Sequence, residues 1–233
     1  MDWTQKYPKI SQCIPIASKM VQKLRDNPNC ELEARLGYFS NNKFKPGVNR
    51  ILMDEIIESM QKSAFVSGDE IWKEETDVYF DVNNSNYRTR VQYDHINMTV
   101  FPETTQKNII SPSIDFIDMN ENSDNTVVRM SLKTETIVEN PPNSIQPYLV
   151  RIKQRRRFIT ENKVWAFDFS MTWSGGSRSQ AEKSQMNDEP VFEIECELLD
   201  VEKYLQNSNE YVAASILLKM MDFLSPKTIL KPY

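Results

Sequence analysis

Phe192-Glu193-Ile194-Glu195-Cys196-Glu197-Leu198 is the stretch that decides the fold, because its carboxylates occupy alternate positions. Successive side chains of a β-strand point to opposite faces of the sheet, so residues two apart share a face. The stretch therefore predicts a strand with Glu193, Glu195 and Glu197 on one face and apolar side chains on the other. Like charges in a row destabilise an isolated strand, which favours a face that meets cations.

The same alternation recurs along the chain with both signs of charge. The further candidates for this charged face are Glu31, Glu33, Arg35, Arg88, Arg90, Lys133, Glu135, Arg151, Lys153, Arg155, Arg157 and Asp168. Together with the three glutamates they make seven acids and eight bases. A single alternating strand is usually an amphipathic strand with a solvated face. Acidic and basic rows whose charges nearly cancel instead favour an enclosed interior that they share. Burying an unpaired charge there would cost several kcal/mol.

Period-two alternation covers most of the chain, and helical periodicity covers three segments. The predicted strands are Glu31–Phe39, Thr76–Val82, Tyr87–Tyr93, Ile96–Phe101, Val127–Val138, Tyr148–Ile159, Lys163–Trp173 and Pro190–Leu199. The predicted helices are Tyr7–Asn27, Gly47–Ala64 and Asp200–Leu224, and the polar stretches Glu103–Asn125 and Ser174–Glu189 are predicted loops. Eight strands can close into a barrel. The predicted fold class is therefore α+β, a closed eight-stranded antiparallel β-barrel with a few covering helices, in one domain over residues 1–233.

Composition limits the function classes. Hydrophobic residues make up 39% of the 233 residues, enough for a sizeable core, and the net charge is −5. Proteins that hold nucleic acid by overall surface charge are usually basic, so any contact with a polyanion must come from a local concentration of cations. Cys13, Cys30 and Cys196 lack metal-type spacing and leave an odd thiol, which favours a reducing, intracellular setting. The first residues show no signal peptide, and the longest apolar run, Ala213–Leu218, is too short to span a bilayer.

The facing charge rows indicate a chemistry. Clustered carboxylates are typical ligands of Mg²⁺ or Mn²⁺, and Arg and Lys side chains form charge-assisted bonds to phosphate oxygens. Phosphoryl transfer requires mainly positioning, charge neutralisation and an oriented nucleophile. His95 is the only histidine, which excludes paired-histidine metal sites, and only five glycines are present, with no Gly-rich phosphate loop among them. The Cys30–Arg35 stretch is one residue too short for a cysteine-phosphatase loop.

Three motifs carry a resemblance to a known family. Glu31-Leu32-Glu33-Ala34-Arg35 and Glu193-Ile194-Glu195-Cys196-Glu197 resemble the two glutamate motifs of the triphosphate tunnel metalloenzymes, and Arg151-Ile152-Lys153-Gln154-Arg155 is similar to the basic strand between them. Within that family, these motifs resemble those of the mRNA-capping RNA 5'-triphosphatases of fungi, protozoa and large DNA viruses. The length and the Asn-rich, Gly-poor composition most resemble the amino-terminal domain of a giant-virus capping enzyme. The likeness spans residues 31–199.

This resemblance implies a role for each candidate. It implies a Mg or Mn ion on Glu31, Glu33 and Glu197, with Glu193 and Glu195 on metal-linked water or bracing cations. It implies Arg90, Lys153 and Arg155 on the γ-phosphate, supported by Arg151 and Lys133, with Asp168 bracing the cations and Glu135 orienting the attacking water. Arg88 and Arg90 share a face, so either is a candidate for the phosphate ligand. The run Arg155-Arg156-Arg157 leaves the register open by one residue, with Arg157 a further candidate.

The implied function is hydrolysis of the γ-phosphate of 5'-triphosphate RNA, and of nucleoside triphosphates with Mn. No Lys-x-Asp-Gly motif is present, so the implied partner is a guanylyltransferase domain or subunit of a capping apparatus. The expected location is intracellular and soluble: a virion or cytoplasmic viral factory for a viral source, the nucleus for a cellular one. Two alternatives stay open. One is a tunnel hydrolase of tripolyphosphate or another small triphosphate, and the other is a non-catalytic barrel that binds polyanions.

Overall fold

The computed structural model describes residues 8–69, 71–83, 85–94, 99–117, 126–138 and 146–224. Within these ranges lie five helices and ten strands. The helices are α1 (Pro8–Asp26), α2 (Arg50–Lys62), α3 (Arg178–Met186), α4 (Val201–Tyr204) and α5 (Asn209–Phe223). The strands are β1 (Cys30–Ser40), β2 (Lys43–Pro46), β3 (Val66–Gly68), β4 (Lys73–Val82), β5 (Ser85–Asp94), β6 (Thr99–Ile117), β7 (Val127–Ile137), β8 (Leu149–Thr160), β9 (Trp165–Gly175) and β10 (Val191–Leu198).

Eight of these strands form a closed ring of antiparallel pairs. The order is β10-β9-β8-β4-β5-β6-β7-β1, and β1 also pairs with β10, which closes the sheet. Strand β2 extends β1 as a hairpin and β3 pairs with β8, so both lie outside the ring. The predicted closed eight-stranded barrel is confirmed.

The hydrophobic core lies between the outer face of the ring and the helices. Leu32, Ala34 and Leu36 of β1 are fully buried on this face. The rings of Phe167 and Phe169 on β9 contact Phe223 of α5 edge-to-face, with centroids 5.4 and 6.0 Å apart. Because successive residues alternate faces, packing the apolar side of β1, β9 and β10 outward turns their polar side into the barrel.

Most predicted elements are confirmed with bounds shifted by a few residues, and two predicted loops are wrong. Glu103–Ile117 belongs to β6, since its backbone pairs with β5 and β7. The stretch Ser174–Glu189 contains helix α3, whose first turn is capped by Ser177 accepting from the backbone N–H of Gln180. The short strands β2 and β3 are additions to the predicted set. His95 and the residues Ile96–Met98 of a predicted strand lie outside the described residues.

The predicted helix Asp200–Leu224 is divided into two helices. The second, α5, starts anew because the Ser208 hydroxyl accepts a hydrogen bond from the backbone N–H of Tyr211 at 3.2 Å, a typical N-cap. In the described part of the chain, no helix combines the length and the apolar character that a bilayer crossing requires.

Candidate active site

The interior of the barrel holds a cavity of about 260 Å³ with a charged lining. Seven of its lining residues are acids, eight are bases and one is a tyrosine. They are Glu31, Glu33, Arg35, Tyr79, Arg88, Arg90, Glu103, Lys107, Glu135, Arg151, Lys153, Arg155, Arg157, Asp168, Glu195 and Glu197. The predicted charge-lined interior is therefore present.

The structure brings the predicted site residues together. All of them line the cavity except Lys133 and Glu193, which hold lining residues in place: Lys133 donates to Glu33, and Arg151 donates to Glu193. Glu193 also accepts from the Thr172 hydroxyl at 3.1 Å.

The structure resolves one of the two ambiguities of the sequence, the register of the arginine run on β8. Arg155 and Arg157 line the cavity, whereas Arg156 lies on the other face of β8, with its guanidinium 5.2 Å from the Phe158 ring centroid. Arg88 and Arg90 both line the cavity.

The acidic side of the cavity lies where β1 meets β10. Glu33 and Glu197 are direct cross-strand partners, and Glu31 is the next residue of β1 on the same face. Burial raises the pKa of Glu197 to about 7; Arg157, 2.8 Å away, opposes the rise, while the charges of Glu31 and Asp168 add to it. For Glu33, burial is outweighed by Arg35 and Lys133, which hold its pKa well below the usual range.

The carboxylates fit a divalent cation by their chemistry. Among the described residues no three acidic, histidine or cysteine groups already converge on a common point that would hold a metal ion. The Glu33 side chain turns to Lys133 and Arg35, and Glu197 turns to Arg157. Three oxygen-donor side chains on adjacent strands, one with a pKa raised by burial and also by its acidic neighbours, are a set that Mg²⁺ or Mn²⁺ would relieve of mutual repulsion.

The opposite side of the cavity is cationic and rigidly braced. Arg90 donates to Asp77 from Nε and Nη2, at 2.7 and 3.0 Å, and the Lys153 ammonium lies 2.9 Å from the same carboxylate. Arg155 pairs with Glu75 at 2.5 Å. Nearer the acidic side, Arg157 makes a bidentate contact with Asp168 and also contacts Glu197. These carboxylate partners hold the cations in place.

Two guanidinium groups retain donors for a further acceptor. The Nε atoms of Arg35 and Arg88 are buried and make no hydrogen bond within the described residues. Arg88 is otherwise held by Glu135 at 2.7 Å, and Glu135 also pairs with Lys107. Buried N–H groups without partners favour an anionic ligand.

The sequence did not predict several interior residues, four charged ones among them. Glu75 and Asp77 are almost fully buried on β4, and Glu103 and Lys107 line the cavity from β6. Glu75-Thr76-Asp77-Val78 does alternate, but the predicted strand begins at Thr76 and leaves Glu75 outside. Glu103 and Lys107 lie in the stretch that the sequence incorrectly predicts to be a loop, so neither was a candidate for the interior.

No model of a protein family matches the sequence, and no curated protein does so significantly. A closed barrel of eight antiparallel strands around facing carboxylates and cations is the triphosphate tunnel fold, and this chain has it. Solved structures agree.

The Pct1 RNA triphosphatase of S. pombe superposes with a TM-score of 0.62 at 15% identity, over 93% of this chain and 92% of that one. The mimivirus capping enzyme triphosphatase gives 0.55 at 16% identity, over 97% and 98% of the two chains. The RNA triphosphatase domain of a trifunctional mimivirus capping enzyme gives 0.52 at 14% identity, over 89% and 97%. These similarities confirm the fold expected from the three sequence motifs.

Proposed function

We propose that this protein hydrolyses the γ-phosphate of 5'-triphosphate RNA in a metal-dependent reaction, the first step of mRNA capping, and hydrolyses nucleoside triphosphates with Mn. The observation that carries the proposal is the placement of an acidic seam and a cationic strand around one cavity. Glu31, Glu33 and Glu197 lie on one side, and Arg151, Lys153 and Arg155 of β8 contribute to the same lining.

The cationic strand provides the phosphate site. Arg90, Lys153 and Arg155 grip the γ-phosphate in this proposal, with Arg88, Arg151, Lys133 and Arg157 supporting them. A guanidinium forms paired, charge-assisted bonds with phosphate oxygens, and braced cations require no reorganisation when charge develops in the transition state. The cavity of about 260 Å³ lies below the roughly 300–1,000 Å³ of sites for drug-sized ligands. It therefore suits a phosphate chain better than a whole nucleotide.

The acidic seam provides the metal site. Glu31, Glu33 and Glu197 are the proposed ligands of Mg or Mn, and Glu193 and Glu195 hold metal-linked water or brace Arg151 and Arg35. The bound ion would neutralise charge on the γ-phosphate oxygens and help align the attacking and leaving oxygens.

Glu135 is the proposed positioning group for the nucleophile. A water molecule held by its carboxylate attacks the γ-phosphorus and passes a proton to the glutamate. The bond between the γ-phosphorus and its bridging oxygen breaks, and the bridging oxygen leaves with the β-phosphate. The products are 5'-diphosphate RNA and inorganic phosphate.

A guanylyltransferase domain or subunit is the proposed partner, since the product is a diphosphate end that still lacks a cap. Two relatives in fold support the assignment: one mimivirus structure is a domain of a trifunctional mRNA capping enzyme, and Pct1 has been solved in complex with the Spt5 CTD.

The deciding experiment is γ-phosphate release from 5'-triphosphate RNA with Mg²⁺, with Mn²⁺ and with a chelator. We expect release only with a metal. Competition with tripolyphosphate separates the RNA-directed reaction from a hydrolase of small triphosphates, because the latter would be inhibited at low tripolyphosphate concentration and release little phosphate from RNA. Phosphate binding with no release under any metal would identify a non-catalytic barrel and refute the proposal.

A further inference from the structure

We propose that the β1–β2 hairpin, residues 37–46, holds the first nucleotides of the RNA as a single strand at one mouth of the tunnel. The inference rests on the proposed function and adds the direction in which the RNA chain leaves the cavity. It is carried by the charges around the two ends of β1 and by an aromatic pair on the hairpin.

The surroundings of the two ends of β1 differ in charge. Strand β1 runs from Glu31 at one end of the barrel to the hairpin at the other. At the Glu31 end a pocket is lined by Glu31, Glu197, Asp200 and Glu202, with Lys163 as its one cation among the described residues. The segment from Gly37 to Arg50 carries Lys43, Lys45 and Arg50 and contains no acidic residue. A polyanionic strand is held by cations, so the hairpin end favours RNA.

The hairpin carries an aromatic pair that continues the inner face of the tunnel. The rings of Phe39 and Phe44 pack edge-to-face with centroids 6.5 Å apart. The Phe44 ring covers Gly37, which follows Arg35 on the inward face; a Cβ at position 37 would lie 2.5 Å from the ring. Phe39 is 38% exposed. Exposed aromatic rings beside a cationic groove are the usual stacking sites for single-stranded bases.

The ring of Phe44 is also fixed from behind. The Arg129 guanidinium lies 4.2 Å from its centroid, and Asp115 holds that guanidinium through two contacts of 2.6 and 2.7 Å. The hairpin turn uses Asn41 and Asn42, with φ of 52° and 58°, as a two-residue turn of the kind that matches strand twist. A surface that is rigid before binding loses little conformational entropy when a base stacks on it.

The spacing suits a nucleotide attached to a phosphate in the cavity. From Glu33 to Phe39 the strand runs about 20 Å, at roughly 3.3 Å per residue. Since the cavity holds a phosphate chain and little more, the first nucleoside must lie outside it. Phe39 of the hairpin is an exposed aromatic side chain at that end of β1.

The test compares substrates with and without a nucleotide chain. Phe39→Ala and the double variant Lys43→Glu, Lys45→Glu are assayed on a short 5'-triphosphate RNA and on tripolyphosphate. We expect KM for the RNA to rise roughly tenfold or more in each variant, with kcat on both substrates and KM for tripolyphosphate unchanged. The salt dependence of log KM for the RNA should weaken by about 0.7 per reversed lysine or more.

Phe65→Ala is the matched control. Phe65 is 40% exposed and lies next to β3, where its carbonyl accepts from the backbone N–H of Glu161, at the Glu197 end of the barrel. We expect its KM for the RNA to equal that of the wild type. Equal KM values for Phe39→Ala and wild type, or a larger effect of Phe65→Ala, would overturn the inference.

A direct readout comes from RNA with 4-thiouridine as its first nucleotides. Ultraviolet light should attach it to a peptide that contains residues 37–46; attachment to residues 198–202 would place the RNA at the acidic mouth and refute the inference. These failures leave the proposed function intact, because the wild type would still release phosphate from RNA. Absence of release from any triphosphate would instead refute the proposed function.

Discussion

Glu33 and Glu197 stand directly opposite each other on β1 and β10, at the seam where the two ends of the sheet meet. The pairing that closes the barrel is therefore the one that assembles the carboxylates proposed to hold the metal. Each carboxylate also contacts a cation: Glu33 contacts Lys133 and Arg35, and Glu197 contacts Arg157.

Replacing Glu197 with Gln should change the pH dependence of stability. Burial, opposed by Arg157 and reinforced by Glu31 and Asp168, raises the pKa of Glu197 from 4.5 to about 7. Between these pH values the folded protein retains a proton that the unfolded chain has released, so stability falls as pH rises through this range. The contribution is at most about 3 kcal/mol. Urea denaturation without metal measures this difference. Between pH 4.5 and 7 the unfolding free energy of Glu197→Gln should decline less than that of the wild type.

Stabilisation of the wild type by metal should increase as pH rises, which is opposite to the pH dependence that Glu197 causes without metal. A cation requires the deprotonated carboxylate, so Mg²⁺ should raise the unfolding free energy of the wild type more at pH 8 than at pH 5. Mg²⁺ should stabilise Glu197→Gln far less than the wild type. In the presence of Mg²⁺ this variant should release little phosphate. Glu202→Gln, an exposed acid of the adjacent pocket, is the control and should behave as the wild type. Full activity of Glu197→Gln would remove this residue from the metal site.

Arg155 and Arg156 form a matched pair, since they are adjacent in sequence and face opposite sides of β8. Arg155→Lys retains the charge but loses the second nitrogen that a phosphate oxygen can use. We expect kcat/KM on 5'-triphosphate RNA to fall about 100-fold or more, comparable to the loss of one preorganised donor. Arg156→Lys loses a hydrogen bond to the Asp69 carbonyl at 2.6 Å and should retain activity. Similar losses in both variants would contradict the assignment of Arg155 to the phosphate site.

The barrel and much of its charged interior could be predicted because single-sign rows have few alternative explanations. In β1 and β10, and in β8 as far as Lys153, the charges alternate with apolar residues, and the helices cover the apolar face, so sequence pattern and packing agree. Strand β6 lacks this pattern: near Thr104 and Gln106 its other face is polar, and hydrogen bonds to β5 and β7 hold it in place. Such a strand depends on its neighbours rather than on its own apolar face. Its sequence therefore predicts a loop, and Lys107 is not predicted to face the interior of the barrel.

Glu135→Gln should affect the chemical step rather than binding. Glu135 lies between Arg88 and Lys107 on the inner face of β7, the strand that pairs with β1. Removing a positioned proton acceptor typically costs about 100- to 10,000-fold in rate. We expect kcat to fall by this amount while the Mg²⁺ dependence of stability remains that of the wild type. Single-turnover rates at saturating metal measure the effect, and a loss of metal stabilisation in this variant would assign Glu135 to the metal site instead.

Asp77, which the sequence did not reveal, should be the acid most important for stability. It is fully buried and holds Arg90 and Lys153 together, and these cations outweigh the effect of burial and keep its pKa well below the usual range. Asp77→Asn leaves both cations with a neutral partner, which for a broken buried pair costs about 3–5 kcal/mol. A depressed pKa of Asp77 stabilises the folded protein at pH values above about 3.8, and this stabilisation is lost as pH falls below that value. Because Asp77→Asn has no such carboxyl group, its unfolding free energy should depend less on acidic pH than that of the wild type.

Urea denaturation at neutral and acidic pH measures both effects. Asp81→Asn is the control on the same strand, since Asp81 is exposed and its replacement should change the unfolding free energy by less than about 0.5 kcal/mol. Because Arg90 and Lys153 belong to the proposed phosphate site, Asp77→Asn should also raise KM for both RNA and tripolyphosphate. An Asp77→Asn protein as stable and as active as the wild type would show that the cations are positioned without this carboxylate.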